Sequence, residues 1–383
     1  MTAPGAMGRG FAASVHDVAS VESWPDYAEA RRWTDGAPVY PPTESAVAAL
    51  LDAIDADPAT ELGTIPPRRA VATVETVAIN GVMAGCRPEH MPLVIAALDA
   101  LLAPEFNLQG VQTTTHPCEP LAIISGPAVG RLGLWSEECV FGGGGNRANV
   151  AIGRAIRLLL WNVGGGYPGS PTRKILGHPG RLSFVLPESA NSPWPPFHAD
   201  RGVAAEASAV TMFACEAPHS VLATIGTDLS PLLILDRIAD HMRALGSNNS
   251  TTQGQQLVVL SPFLAQHLDA HGWDRSRVQQ HLWHGARRPL AQVRPRSAQR
   301  PDNDPRWWWP WLPPDVDQSD DSSLVPSASD PASIHVVVSG ASGGRFCAVC
   351  PGWGHFGGFA VTKPVNAGAS LHDPEKGDKD AGS

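Results

Sequence analysis

Two short runs constrain this chain more than any other feature: Leu257, Val258, Val259 and Leu260 follow one another without a polar residue, and Ile334–Val338 is interrupted only by His335. A strand with one wet face alternates polar and apolar residues, because successive side chains point to opposite faces. Unbroken apolar runs belong to strands covered on both sides. The first run is followed by helical spacing over 262–271 and 275–287, and this strand-then-helix order predicts an α/β fold. The expected architecture is a layered mixed sheet with flanking helices. Further strands are expected at 110–115, 121–125, 182–186, 210–215 and 359–365. No internal repeat is visible in the residue pattern.

Helical periodicity marks the rest of the body. Thr43, behind Pro41 and Pro42, is suited to cap a helix over 44–55, and Val47, Leu50, Leu51 and Ile54 give it an apolar face. Residues 71–83 are readable as helix or strand, and the spacing of Val74, Val77, Ala78 and Val82 favours helix. Pro88 suits the first turn of a helix carrying Met91, Val94, Leu98 and Leu101. Another apolar helix is expected from Val150 to Leu160, and one more over 231–245.

The chain of 383 residues divides on composition into five parts. Residues 1–38 form an N-terminal arm, 39–288 the main α/β body, and 289–332 a long excursion rich in proline, serine and aspartate, read as linker or lid. Residues 333–366 supply a C-terminal strand pair completing the body, and 367–383 form a disordered polar tail. Inside the excursion, Trp307, Trp308, Trp309 and Trp311 make an aromatic knot, either an anchor to the body or a surface for docking a partner.

A formal charge of −9 and an isoelectric point near 5.8 argue against nucleic-acid binding, which needs a clustered cationic surface. With no secretory signal and no 18-residue apolar stretch, no membrane contact is expected and a cytoplasmic location is. There the six cysteines are expected to be reduced unless they serve catalysis or a metal.

Four constellations carry candidate chemistry. In the first, Gly142, Gly143, Gly144 and Gly145 run through Asn146 and Arg147 into a helix, an arrangement that exposes backbone N–H groups to an anion and offers a guanidinium to clamp it. The spacing fits neither the P-loop nor the dinucleotide fingerprint. A ligand-free turn is the competing reading. In the second, Cys86 precedes Arg87 and the helix opened by Pro88, where a thiolate would be stabilised; the alternative is a buried small hydrophobe. The third is Cys347-Ala-Val-Cys350, with His355 beyond it: a dithiol redox pair, part of a metal site, or a reduced structural pair. A complete local zinc site is missing, so remote donors would be needed, with Cys86, Cys118 and His178 as candidates beside Cys347, Cys350 and His355. The fourth is His116, expected at a strand end as an acid–base group, with His178 in a Gly-His-Pro-Gly turn as a second; each also fits a hydrogen-bonded loop residue.

Four segments resemble a family of bacterial UGSC-type selenoproteins: residues 35–43, residues 77–89 with the stretch Ala78-Ile-Asn-Gly-Val-Met-Ala-Gly-Cys86, residues 149–158, and His271-Gly-Trp273 through Arg287. The similarity spans roughly residues 33 to 365. It implies a thiol- or selenol-linked redox context and assigns no catalytic residue.

The expectation is a cytoplasmic enzyme of small-molecule metabolism doing thiol-dependent or redox chemistry on a small anionic substrate, with a homo-oligomer or a redox partner protein possible. Catalysis would fall to Cys86, Cys347, Cys350 and His116, and the cofactor would be zinc, iron or nothing beyond a dithiol. One alternative is a metal-dependent lyase or hydrolase using cysteine and histidine ligands. Another is a non-catalytic subunit that docks through the tryptophan knot.

Overall fold

The computed structural model describes residues 11–54, 56–169, 171–294 and 312–365. The tryptophan knot and the C-terminal tail lie outside them. An extended arm leads into α1 (Trp24–Ala30) and α2 (Glu44–Leu51), the latter capped by the Thr43 hydroxyl as its sequence foretells. A hairpin of β1 (Glu61–Ile65) and β2 (Ala70–Thr73) runs directly into α3 (Val74–Ala84). The ambiguity of residues 71–83 is thereby resolved as both, because Thr73 ends the strand and caps the helix through a reciprocal bond with Thr76. Next come α4 (Met91–Leu102) and α5 (Leu108–Thr113). Residues 110–115, expected as strand, are largely this short helix, which is capped by Asn107.

The remaining strands form two sheets of repeated topology. The first unit runs β3 (Glu119–Ser125), α6 (Ala128–Arg131), α7 (Arg147–Asn162), β4 (Val185–Pro187) and β5 (Ala209–Cys215), then hands on to β6 (His219–Leu222). After α8 (Pro231–Met242) and α9 (Asn249–Thr252), the second unit runs β7 (Gln256–Leu260), α10 (Pro262–Ala270) and α11 (Arg275–Gly285). A small appendage of β8 (Arg287–Pro289), α12 (Leu290–Val293) and β9 (Leu324–Pro326) intervenes before β10 (Ile334–Val338), β11 (Phe346–Pro351) and β12 (Val361–Pro364). The sheet orders are β12-β5-β3-β4 and β10-β7-β11-β6. In each, the central strand has a parallel neighbour reached through a helix and an antiparallel neighbour on its other side. The fourth strand is exchanged: β6 leaves the first unit to pair with β11, and β12 leaves the second to pair with β5.

Registers superpose as closely as the topology. The Glu188 amide bonds the Ile124 carbonyl in one unit, and the Ser339 amide bonds the Leu260 carbonyl at the matching place in the other. Cys215 and Gly352, which match by the same alignment, bridge each other antiparallel, as residues beside a two-fold axis would. The repeat is therefore one of backbone pattern, and the residue pattern hides it because the two units share few identities.

Side-chain alternation explains the unbroken apolar runs. Leu121 and Ile123 of β3 and Leu257 and Val259 of β7 meet in one core between the sheets. Their neighbours Ala122 and Ile124 face α3, α4 and α7, while Val258 and Leu260 face α8, α10 and α11. The order of layers is helix, sheet, sheet, helix, an α/β architecture in which every residue of β7, and every residue of β3 but Pro120, is buried. Burying each such leucine or valine contributes about 1.5–3 kcal/mol. Among the described residues, no single helix is long and apolar enough to cross a membrane.

Candidate functional site

The glycine loop closes on itself. The amides of Gly142 and Gly144 donate to the Cys139 carbonyl, and Gly143 to Gly145 all have positive φ. A Cβ on Gly144 would sit 2.0 Å from Trp135, so glycine there answers to packing as well as to backbone. Asn146 caps α7 through the Asn149 amide, as its residue type suggests. Arg147 donates from Nε to the Gly85 carbonyl at 2.9 Å rather than lying free beside the loop. Two amides of the loop and the Nε of Arg147 are thus engaged within the chain.

Arg147 does meet Cys86, so two sequence candidates come together, but the expected activation is reversed. Cys86 is buried, its thiol donates to the Ala151 carbonyl at 3.4 Å, and burial pushes its pKa up to about 12 against a smaller lowering by Arg147. Desolvation outweighs the neighbouring charge.

Cys347 and Cys350 are separated by the strand itself. Three positions apart on β11, they point to opposite faces: Cys347 into the core against the outer helices, Cys350 into the core between the sheets. They cannot share a disulfide or a metal ion in this strand. Cys347 is pushed by burial to about 12, and Cys350 instead contacts Cys215, whose thiol burial holds well above its ordinary value. Remote donors do not repair the set. His355 donates from Nδ1 to the Thr252 carbonyl, and among the described residues no three His, Cys, Asp or Glu side chains converge as a metal site requires. The donors Cys86, Cys118, His178, Cys347, Cys350 and His355 therefore do not fit zinc or iron.

His116 and His178 enter one polar cluster at the start of β3, beside Cys118. The Cys118 amide donates to His116 Nδ1, leaving Nε2–H to donate to Glu216 at 2.8 Å. His178 accepts the Gly180 amide at Nδ1 and donates from Nε2 to the Cys215 carbonyl; burial lowers its pKa. Both rings are held in place by backbone contacts, the loop-residue reading of each. Beside them the sequence reading missed Glu119, whose carboxylate meets Lys174 at 2.9 Å and Arg181 at 2.9 Å, with Arg157 nearby. Burial pushes Glu119 upward, yet Lys174, Arg181 and Arg157 together hold it below its ordinary value. Arg157 is brought down to about 10, chiefly by burial. The space between these groups admits no water-sized molecule, so the cluster pins the loop after α7 to β3. Cys118, also buried, is pushed to about 12.

Another hollow lies between the arm and helices α2 and α3. Its volume is about 720 Å³, within the range of small-molecule sites. Phe11, Trp24 and Trp33 supply aromatic wall, and Val47, Ile79 and Met83 supply aliphatic wall. Its buried polar groups, Glu75 and Asn80, are fixed by hydrogen bonds. Glu75, in the first turn of α3 and 3% exposed, accepts the Ala12 and Ala13 amides at 3.0 Å each, which ties the arm down across the opening. One turn on, Asn80 bonds the Thr76 carbonyl and accepts from Asn162 of α7 at 2.8 Å; Asn162 also reaches the Trp33 carbonyl. The Trp24 indole N–H is satisfied by the Val39 carbonyl at 2.7 Å. Aromatic residues in the arm and the apolar face of α3 were legible in sequence; their convergence on a cavity was not.

Two smaller hollows mark the seam between the units. One, of about 400 Å³, joins the glycine loop to the turn at Gly340, whose amide donates to Ser136, and is lined by Cys139, the one exposed cysteine of the six. The other, of about 380 Å³, is lined by Trp194, Asp200 and Arg275. Behind it, burial pushes Glu188 to about 7 although it accepts the Phe197 amide and lies 3.6 Å from Arg275.

No protein family, curated protein or solved structure matches this chain.

Proposed function

We propose that this protein is an enzyme of small-molecule metabolism whose ligand sits beneath the N-terminal arm. The observation that carries this reading is the 720 Å³ cavity, apolar in its walls, with a buried carboxylate and a paired amide at fixed positions. Sites of that size and character hold most small ligands, the apolar walls giving affinity and the few polar groups orientation. Glu75 is the buried group there able to take or give a proton, and Asn80 with Asn162 can hold a ligand carbonyl or hydroxyl. The arm acts as cover, because its attachment to α3 runs through Glu75 itself.

The segments that carry the resemblance to UGSC-type proteins contribute Pro41, Pro42, Thr43, Ile79, Asn80 and Met83 to the lining. That placement favours a relationship to that family through this cavity rather than through a thiol, since Cys86 is sealed from solvent. A cytoplasmic location accords with six cysteines that form no disulfide.

The test is to fill the hollow. Ile79→Trp adds bulk on the cavity side of α3, and a metabolite panel is screened by thermal shift against the wild-type protein and the variant. Compounds that raise the wild-type melting temperature should leave the variant unmoved. Equal stabilisation of both proteins places the ligand elsewhere and overturns the reading.

A further inference from the structure

The cavity's charge is one-sided. Its titratable lining groups are Glu75, Glu44 and His16, and among the described residues it contains neither lysine nor arginine. Glu75 is buried and takes two neutral backbone N–H bonds, and no described cation stands within ion-pair distance of it. A buried carboxylate is ordinarily paired, since two neutral hydrogen bonds compensate only part of its lost hydration. The same cavity presents the rings of Phe11, Trp24 and Trp33. Aromatic faces attract cations through their quadrupole, most strongly where water is excluded. This ring cluster already takes up one: the Arg31 guanidinium, outside the cavity lining, stacks 3.6 Å over Tyr27 and lies 5.7 Å from Trp33, and Tyr27 packs edge-on against Trp33 at 5.9 Å.

We infer that the ligand of this cavity is an organic cation, an amine with an apolar or aromatic body, its ammonium directed to Glu75 and its body against Trp24 and Trp33. The inference rests on the cavity being the functional site, and it replaces the anionic substrate expected from the glycine loop. An anionic ligand would meet two carboxylates, with the His16 imidazole, bonded to the Tyr27 hydroxyl, as the basic group of the lining. A neutral one would leave Glu75 as it stands. A cation gains from Glu75 and from the aromatic wall alike, and Asn80 with Asn162 remains for a hydroxyl or carbonyl on the same molecule.

Three probes of nearly equal shape separate charge from shape: phenethylammonium, 2-phenylethanol and phenylacetate, titrated against the full-length protein with tryptophan fluorescence as readout. The ammonium should bind at least tenfold more tightly than the alcohol, and phenylacetate more weakly than either. Glu75→Gln should remove that preference by weakening the ammonium about tenfold while leaving the alcohol unchanged. Trp33→Leu, which keeps Glu75, provides a second variant should Glu75→Gln fold poorly; it should cost the ammonium more than the alcohol. If the alcohol or phenylacetate binds as tightly as the ammonium, the ligand class is wrong although the cavity remains a site. If none of the three is bound, and Ile79→Trp also leaves every metabolite-induced shift unchanged, both readings fall together.

Discussion

The two units share a backbone and close their matching ends by opposite chemistry. At the first position of its central strand, the first unit has Glu119, locked to Lys174 and Arg181. By the register that aligns β3 with β7, the same place in the second unit is Gln255, just before β7, whose carbonyl oxygen accepts from His335 at 2.9 Å and from the Ala360 amide at 2.7 Å. His335, fully buried and pushed down to about 3 by desolvation, stays neutral there. One end is tied by ions and the other by uncharged hydrogen bonds, yet the strands beneath keep one arrangement. Apolar periodicity specifies the layers, and the means of closing them is a local choice. The comparison also separates structure from function: the ionic lock has no room for a ligand, and the large cavity belongs to the arm, α2 and α3, which precede the repeated frame.

The strongest way to break this comparison is to neutralise the lock. Glu119→Gln leaves Lys174, Arg181 and Arg157 without their carboxylate, and removing one partner of a buried ion cluster costs about 3–5 kcal/mol. Gln255→Ala, which orphans neutral groups, should cost about 1–3 kcal/mol. Urea unfolding at pH 7 measures both, and equal costs would mean that Glu119 closes its end no differently from Gln255. The pH dependence adds a sign. Glu119 is held below its ordinary value when folded, so its contribution is present above the unfolded carboxylate pKa and is lost as pH falls through the folded one. The variant should therefore show a shallower loss of stability in acid.

A second pair of matching positions sharpens the contrast. Glu188 of the first unit corresponds to Ser339 of the second, whose hydroxyl donates to the Pro187 carbonyl at 2.6 Å. Burial raises Glu188 from an ordinary 4.5 to about 7. A carboxyl raised on folding stabilises most below its unfolded pKa, and that stability is lost as pH rises through the folded value. At 1.36 kcal/mol per unit, the loss between about pH 4.5 and 7 is on the order of 3 kcal/mol at most. Glu188→Gln should remove that slope and leave the protein more stable than wild type at pH 8. A wild-type stability curve flat between pH 5 and 8 would show that Glu188 titrates normally.

What the residues disclosed and what they hid follow the same division. Strands β3, β5, β7 and β10 were legible because burial on both faces leaves a run that is apolar but for single residues such as Thr211 and His335. Helix α2 was legible because Thr43 caps it, and α4 by its apolar spacing, although Pro88 opens a separate short turn, Pro88–His90, before the helix begins at Met91. The exchange of β6 and β12 was hidden, since short strands carry no mark of their partner. Residues 359–365 were expected to pair with the run at 334–338, whereas β12 pairs with β5. The sites failed for a shared reason. Spacing along the chain is not spacing in space: three steps along β11 put Cys347 and Cys350 on opposite faces, and the order Cys86, Arg87, Pro88 reveals neither how deeply the thiol is buried nor that Arg147 bonds a carbonyl. Glu75 and Asn80 were passed over because a single carboxylate or amide on a helix has no signature until its neighbours are known.

The smallest effect concerns the cysteines, and it divides accessible from sealed sulfur. Cys86, Cys118, Cys215, Cys347 and Cys350 are buried, while Cys139 is exposed on the loop between α6 and α7. A thiol reacts as thiolate, so a buried group whose pKa stands near 12 is unreactive at pH 8 twice over, by protonation and by access. Native protein should therefore release one equivalent with an aromatic disulfide reagent within minutes, and six after denaturation. Cys139→Ala should abolish the fast equivalent and change stability by no more than about 0.5 kcal/mol, as surface substitutions do. Because its backbone holds a positive φ of 56°, Cys139→Gly should if anything be tolerated better than alanine. Fast release of two or more equivalents from the native protein would mean that the sheets open readily between the units, and the dithiol chemistry expected of Cys347 and Cys350 would then have a route that the closed structure denies.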